Sequence, residues 1–322
     1  MSIRVLQGNC LDRIEDLSDN SIDCVVSSPP YYGLRDYGTA QWDGGDSNCE
    51  HTISHDNDNL KPNVDRPTRG DRSFCLKCGA KRIDEQIGLE PTIADYINNT
   101  IRVFEAMQPK LKDTATIWWN VGDSYNSTNG FSRNKGQYKR KGRDGGSNDK
   151  KLITGTPIKE KDLMMITNRV AIALQDAGWY IRSEIIWHKP NPMPQSVKDR
   201  PTSAHEKIWL ITKNKKYYYD AEAIKEDSVI DGKRNKRNVW TVTTKPCKHA
   251  HFATFPKDLI EPCILAGCPI DGTVLDPFGG SGTVGIVAEN NNRNSVLIEL
   301  NPEYIDIMNV RFSDEITYKL LD

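Results

Sequence analysis

The chain has 322 residues, 27% of them charged, with a formal net charge of −1. That length can bury a substantial core, and the near-neutral balance means a nucleic-acid partner must be read from where cations cluster. No apolar run reaches membrane length, the opening MSIRVLQGNC lacks a secretory apolar region, and the eight cysteines show no disulfide spacing, so the expectation is a cytoplasmic protein with no membrane partner.

In chain order, SIDCVVSSP (Ser21 to Pro29) is a β-branched run that reads as a central strand. It leads into SSPPYYGLRDYG, whose paired prolines and tyrosines no ordinary turn requires. Thr39 to Gly88 is polar and rich in turn residues, and the stretch 39–88 reads as an insertion. From Thr92 to Leu111, Ile93, Ile97, Ile101, Phe104 and Met107 recur at helical spacing, with Thr92 and Asp95 as a capping pair. TATIWWNV is a strand. Asn126 to Asp162 is glycine-rich and basic, and 126–162 reads as a mobile basic loop.

LMMITNRVAIALQDAGW then predicts a helix closing at Gly178, and YIRSEIIWH and HEKIWLITK predict strands. Lys189 to His251 carries prolines early and the basic run DGKRNKRNVW later. Near the C-terminus the pattern is a helix from Pro256 to Gly267, the strand GTVLDPF, a glycine turn, a helix to Asn292, the strand SVLIEL and a last helix from Pro302. This alternation predicts an α/β fold, a mostly parallel sheet with helices on both faces, as one domain over 1–322 with polar insertions.

VLDPFGGSGTVGIVA (Val274 to Ala288) orders strand, acid, glycine turn and helix. Gly279, Gly280 and Gly282 let the backbone approach a ligand and turn into a helix whose first amides face it. It is neither the dinucleotide fingerprint nor a phosphate-binding loop. The next strand ends in Glu299, a carboxylate placed to accept both hydroxyls of a ribose, so the pair points to an adenosine-containing ligand.

Ser28-Pro29-Pro30-Tyr31 together with Asp276-Pro277-Phe278-Gly279-Gly280-Ser281-Gly282 resembles the amino-methylating DNA methyltransferases, which modify an exocyclic amine with S-adenosylmethionine. The tetrapeptide precedes the glycine motif, as in the β group of these enzymes. HFATFP, RNVWTV and EIIWHKPNPMP are similar to further segments of the family. The resemblance implies a Rossmann-like S-adenosylmethionine-dependent methyltransferase sheet. It also implies cofactor contacts from Asp276, Pro277, Phe278, Gly279, Gly280, Gly282 and Glu299, and from Phe252, Thr254 and Phe255. In the implied chemistry, Ser28 and the Pro29 carbonyl accept hydrogen bonds from the two amine hydrogens, favouring a pyramidal, nucleophilic nitrogen. Pro29 and Pro30 fix the backbone, and Tyr31 offers a flat face to a base flipped out of the duplex. Tyr32 reads as a packing or second stacking residue. Serine in the first position goes mostly with N4-cytosine and aspartate with N6-adenine, so Ser28 favours N4-cytosine, with N6-adenine the alternative. Asn9, in QGNC, stands where relatives often carry an acid.

Cys49 and His51, with Cys75-Leu-Lys-Cys78-Gly, have the spacing of a zinc knuckle; His55 is an alternative to His51. The reading is a structural zinc closing a polar loop that cannot build its own core. Cys247, His249 and His251 form a second group, which lies against the cofactor segment and is not read as a metal site. The family's target-recognition segment falls at 189–250, where Lys233, Arg234, Lys236 and Arg237 are candidates for phosphate contact. The implied partner is double-stranded DNA; a homodimer and a cognate restriction endonuclease are partners that such enzymes have. Rival readings are methylation of RNA or of a protein glutamine, and a non-catalytic DNA-binding protein.

Overall fold

Runs such as IDCVVS and TATIWW carry apolar residues at both alternating positions, which suits strands covered on both faces. The computed structural model describes residues 2–52, 74–126, 158–245 and 255–316. The elements are β1 (Ile3–Gln7), α1 (Cys10–Glu15), β2 (Ile22–Ser27), β3 (Gln41–Asp43), β4 (Lys81–Ile83), α2 (Ile93–Met107) and β5 (Leu111–Val121). They continue with α3 (Ile166–Asp176), β6 (Tyr180–His188), β7 (His205–Thr212), β8 (Glu226–Asp227), β9 (Lys233–Arg234) and β10 (Val239–Thr241). The last are α4 (Lys257–Gly267), β11 (Thr273–Asp276), α5 (Thr283–Asn290), β12 (Asn294–Glu299) and α6 (Pro302–Ile316).

Eight strands form one sheet in the order β1-β12-β11-β2-β5-β7-β6-β10. All neighbours are parallel except β7, which runs antiparallel to both β5 and β6. The period-2 alternation of side chains divides the core. Val25, Ile117, Trp119 and Ile211 face one layer with residues of α1, α2 and α3, whereas Cys24, Val26, Trp118 and Leu210 face another with residues of α4, α5 and α6. This is the expected α/β layering.

Two compact units emerge, Met1–Arg35 with Ile87–Asp322, and Asp36–Gln86. The sheet belongs to the first. The second holds the antiparallel β3–β4 pair, and its buried apolar residues among those described are Cys75 and Ala80.

Local signals explain most boundaries. The Thr92 hydroxyl accepts from the Asp95 amide at 3.1 Å, capping α2 as its sequence predicts. The expected helix from Leu163 begins three residues later, because Leu163 bridges to Tyr125 and Met165 adopts a left-handed backbone with φ 57°. Met165 makes no side-chain cap, and Asp123 Oδ1 instead accepts from the Ile166 amide at 3.2 Å. The 189–250 stretch, expected to hold one strand, contributes both β7 and β10 to the main sheet. β10 pairs with β6, so the RNVWTV and EIIWHKPNPMP segments lie side by side. Among the described residues, no helix is long and apolar enough to cross a membrane.

Candidate active site

In a parallel sheet the loops after the strands gather at one end, where ligands bind. β2 and β11 are neighbours, so their loops, SPPY and DPFGGSG, meet there. The buried Ser27 hydroxyl donates to Asp276 Oδ1 at 2.6 Å and ties the two together. Tyr96 donates to the Pro30 carbonyl at 3.1 Å, while among the described residues none donates to the Pro29 carbonyl. Tyr32 is 2% exposed and packs on Tyr96 with ring centroids 5.6 Å apart, which makes it a packing residue.

Tyr31 is bound through its hydroxyl. Ser28 Oγ donates to it at 3.2 Å, and it faces Glu206 Oε2 at 2.9 Å and Asn120 Oδ1 at 3.2 Å. Burial and the Glu206 carboxylate push the Tyr31 phenol well above its ordinary value, so it keeps its proton. Its ring lies so close to Gly122 that a Cβ there would stand 2.5 Å from it. Glu206 also pairs with Lys189, whose ammonium lies 4.1 Å from the Trp187 ring centroid. Glu206 is a site residue that sequence reasoning missed. A glutamate opening a strand reads as solvated, and only the antiparallel course of β7 brings it to this end of the sheet.

The glycine turn is shaped by packing and by two carboxylates, the buried Asp276 and the half-buried Glu299. Gly282 has φ +78°, and a Cβ there would stand 2.7 Å from the Phe312 ring, so glycine is required both by backbone and by the contact with α6. Arg311, 5% exposed, donates from one guanidinium nitrogen to the Ser281 carbonyl at 2.6 Å, the Ser281 hydroxyl at 2.8 Å and the Thr283 hydroxyl at 3.0 Å. It fixes the turn, and no motif in the sequence flagged it. Glu299 accepts from the Gly280 and Asn301 amides, each at 2.8 Å, and Asp276 accepts from the Phe278 amide at 3.1 Å. Among the described residues no cation pairs with either carboxylate. Burial raises both, Asp276 to about 7. The acceptor oxygens of Glu299 suit a ribose diol, and two uncompensated acids suit a cationic sulfonium ligand. Phe278 meets Trp119 edge-on at 6.0 Å, and Phe255 is half-buried against the core. Phe252 and Thr254 lie outside the described residues. Asn9 caps α1 by accepting from the Leu11 amide at 2.9 Å, a role that asparagine and aspartate fill equally.

A pH dependence follows from Asp276. Its folded value of about 7 lies above the ordinary 3.8, so between those limits the folded state holds the extra proton. Stability contributed by this group is therefore present at low pH and lost as pH rises from about 4 to about 7. We expect the melting temperature of ligand-free protein to fall more steeply from pH 5 to 7.5 than that of Asp276→Asn; equal slopes would refute the assignment.

In the 36–86 unit, Cys49, His51, Cys75 and Cys78 place their ligand atoms within 4.8 Å of one another. Cys49 and Cys75 sulfurs are 3.9 Å apart, and Cys78 Sγ is 3.3 Å from His51 Nδ1. A tetrahedral zinc with Zn–S of about 2.3 Å sets its sulfurs about 3.8 Å apart, so the ring has the size of a zinc site. Gly79, with φ +77°, turns the knuckle, and Trp42 stacks on His51 at 5.0 Å. His55 lies outside the described residues, as do Cys247, His249 and His251.

In the basic turn before β10, three of the four candidate cations form ion pairs within the protein. Lys233 pairs with Asp227 at 2.6 Å, and Arg234 and Arg237 share Glu226 at 3.0 and 2.8 Å. Lys236 lies 5.2 Å from the Trp240 ring centroid. The turn enters β10 from the end opposite the SPPY loop, since Val239 pairs with Ile186 and β10 advances toward His188. Cations at the SPPY end include Lys189, Lys161 and Arg200; Lys161 pairs with Asp199 at 2.8 Å, and Arg200 covers the Tyr125 ring at 3.6 Å. Most of the 126–162 loop lies outside the described residues.

Comparison with known proteins agrees with this geometry. A family model for DNA methylases, the N6/N4 methyltransferases, matches residues 22–310. The chain is 42% identical over 315 residues to the type II methyltransferase M.Cfr9I of Citrobacter freundii, covering 97% of this chain and 88% of that one. It is 40% identical over 313 residues to the type II methyltransferase M.SmaI of Serratia marcescens, covering 96% and 90%. Among solved structures, the cytosine-N4-specific PvuII DNA methyltransferase shares the fold with a TM-score of 0.62 at 20% identity, over 97% of this chain and 86% of that one. The M1.HpyAVI–SAM complex shares it with a TM-score of 0.51 at 16% identity, over 96% and 99%. A tetrapeptide and a glycine turn joined at adjacent strand ends, within a match that spans most of the chain, thus place the protein among the amino-methylating, site-specific DNA methyltransferases: it belongs to the N6/N4 DNA methylase family.

Proposed function

We propose that the protein transfers a methyl group from S-adenosylmethionine to N4 of cytosine within a short sequence of duplex DNA, after flipping the base. The observation that carries this is the Ser27–Asp276 hydrogen bond, which holds the amine-accepting loop against the acidic glycine turn. Glu299 would hold the ribose hydroxyls, and the turn from Phe278 to Gly282 would line the methionine side. When bound, the cofactor supplies an electrophilic methyl: the amine lone pair forms the N–C bond, the S–C pair returns to sulfur, and one N–H proton leaves to water. Ser28 Oγ and the Pro29 carbonyl accept from the amine, and the Tyr31 ring would stack on the flipped base. Ser28 in the first position supports cytosine over adenine. Nucleoside mass spectrometry of DNA from cells expressing the protein tests the reading. N4-methylcytosine is the expected mark; N6-methyladenine overturns the base, and neither mark overturns the activity.

We also infer a structural zinc on Cys49, His51, Cys75 and Cys78, supported by the spacing of the ring and by the few buried apolar residues, Cys75 and Ala80, among those described in the unit that carries it.

A further inference from the structure

The target amine attacks through its lone pair, so any group beside it must accept hydrogen bonds and not donate one. An ionised aspartate in the first tetrapeptide position meets that demand by itself. A serine does not, because its hydroxyl can turn its hydrogen toward the nitrogen and occupy the attacking lone pair. The surroundings of Ser28 must therefore decide which way its proton points.

Those surroundings have a definite donor count. Tyr31 carries one proton and keeps it. Two acceptors face its oxygen, Glu206 Oε2 at 2.9 Å and Asn120 Oδ1 at 3.2 Å. The Asn120 amide is oriented by donating to the Lys207 carbonyl at 3.1 Å, which leaves its oxygen toward Tyr31. Glu206 is oriented in turn, because its other oxygen is held by Lys189. With its proton committed to this side, the Tyr31 oxygen accepts from Ser28 at 3.2 Å. The Ser28 oxygen is then left with lone pairs alone for the substrate.

Building on the methyl-transfer reading, we propose that Glu206 is a positioning residue that acts through the Tyr31 hydroxyl to keep Ser28 an acceptor toward the target amine. The residues come from three strand ends, the loop after β2, the last turn of β5 and the start of β7, and Tyr31 and Glu206 are 175 positions apart in the chain. Lys189 neutralises the carboxylate without supplying a donor to Tyr31.

Two near-isosteric variants test this. Tyr31→Phe keeps the ring and removes the oxygen. Glu206→Gln keeps the shape, but Lys189 retains the amide oxygen, so the amide N–H turns toward Tyr31 and puts a donor where an acceptor is needed. Single-turnover methyl transfer is measured for wild type, each variant and the double variant, beside the affinities for S-adenosylmethionine and DNA. Each single change is expected to slow transfer about tenfold or more, with both affinities within about twofold of wild type, and the double variant should be no slower than Tyr31→Phe. Either single variant transferring at the wild-type rate overturns the proposal. So does a Glu206→Gln effect that is equally large with and without the Tyr31 hydroxyl, or a loss that lies in affinity. If the wild type transfers no methyl to DNA, the activity reading fails instead, which separates the two.

Discussion

Ser28→Ala is expected to slow methyl transfer by about a hundredfold or more, the scale seen when one hydrogen-bonding group is removed at a reacting centre. The substitution takes away the side-chain acceptor and leaves the Pro29 carbonyl alone to hold the amine. It leaves the Ser27–Asp276 link intact, since that bond belongs to the preceding residue. Cofactor affinity should therefore stay within about twofold of wild type, read as an undiminished rise in melting temperature on adding S-adenosylmethionine. The rate is read in a single turnover with preformed enzyme–DNA complex, so that product release does not mask it. A variant that methylates at the wild-type rate, or one that has lost its cofactor response, would remove Ser28 from the chemistry.

Cys75→Ser is expected to abolish zinc binding and with it the order of the 36–86 unit. Elemental analysis should give one zinc per chain for wild type and none for the variant. The physical reason is that, among the described residues, the unit has one short antiparallel strand pair, β3 with β4, and two buried apolar residues, so a metal tying Cys49 and His51 to Cys75 and Cys78 would supply much of what holds those strands together. The change should appear as new proteolytic cleavage within 36–86. The main sheet draws its core from other residues and should keep its cofactor-induced stabilisation. Zinc-free wild-type protein that resists protease as well as the loaded form would defeat the assignment.

The parts of this molecule that were legible in its sequence are those whose signals are local. The α2 cap lies within four residues, and the β11–α5–β12 unit carries strand, glycine turn and acid within one short stretch. The knuckle cysteines are three apart, whereas Cys49 and His51 reach them only across more than twenty residues of chain. What stayed hidden depends on contacts across the chain. β10 is three residues long, and its sequence is overshadowed by the basic turn before it. The ion pairs of that turn were not legible because Glu226 and Asp227 sit on the other arm of a hairpin. The cap that Asn9 provides to α1 was not flagged in the sequence either. Glu206 carried no mark at all, because nothing near it in sequence tells of Tyr31.

The reversed course of β7 has a consequence for how such a protein can change over time. β7 is clamped on both sides, by β5 through Val121–Lys207 and by β6 through His188–His205, so its register is set by two partners at once. A one-residue slip would exchange Glu206 for a neighbour facing the opposite layer, and two ladders resist it together. Lys189 stays fixed by its pairing with Glu206, whereas the segment from Pro190 to Ala204 is thereby uncoupled from the carboxylate it precedes. It can lengthen, shorten or be exchanged without moving the carboxylate that follows it. That loop can vary in sequence and length while the Glu206–Tyr31 contact is inherited unaltered.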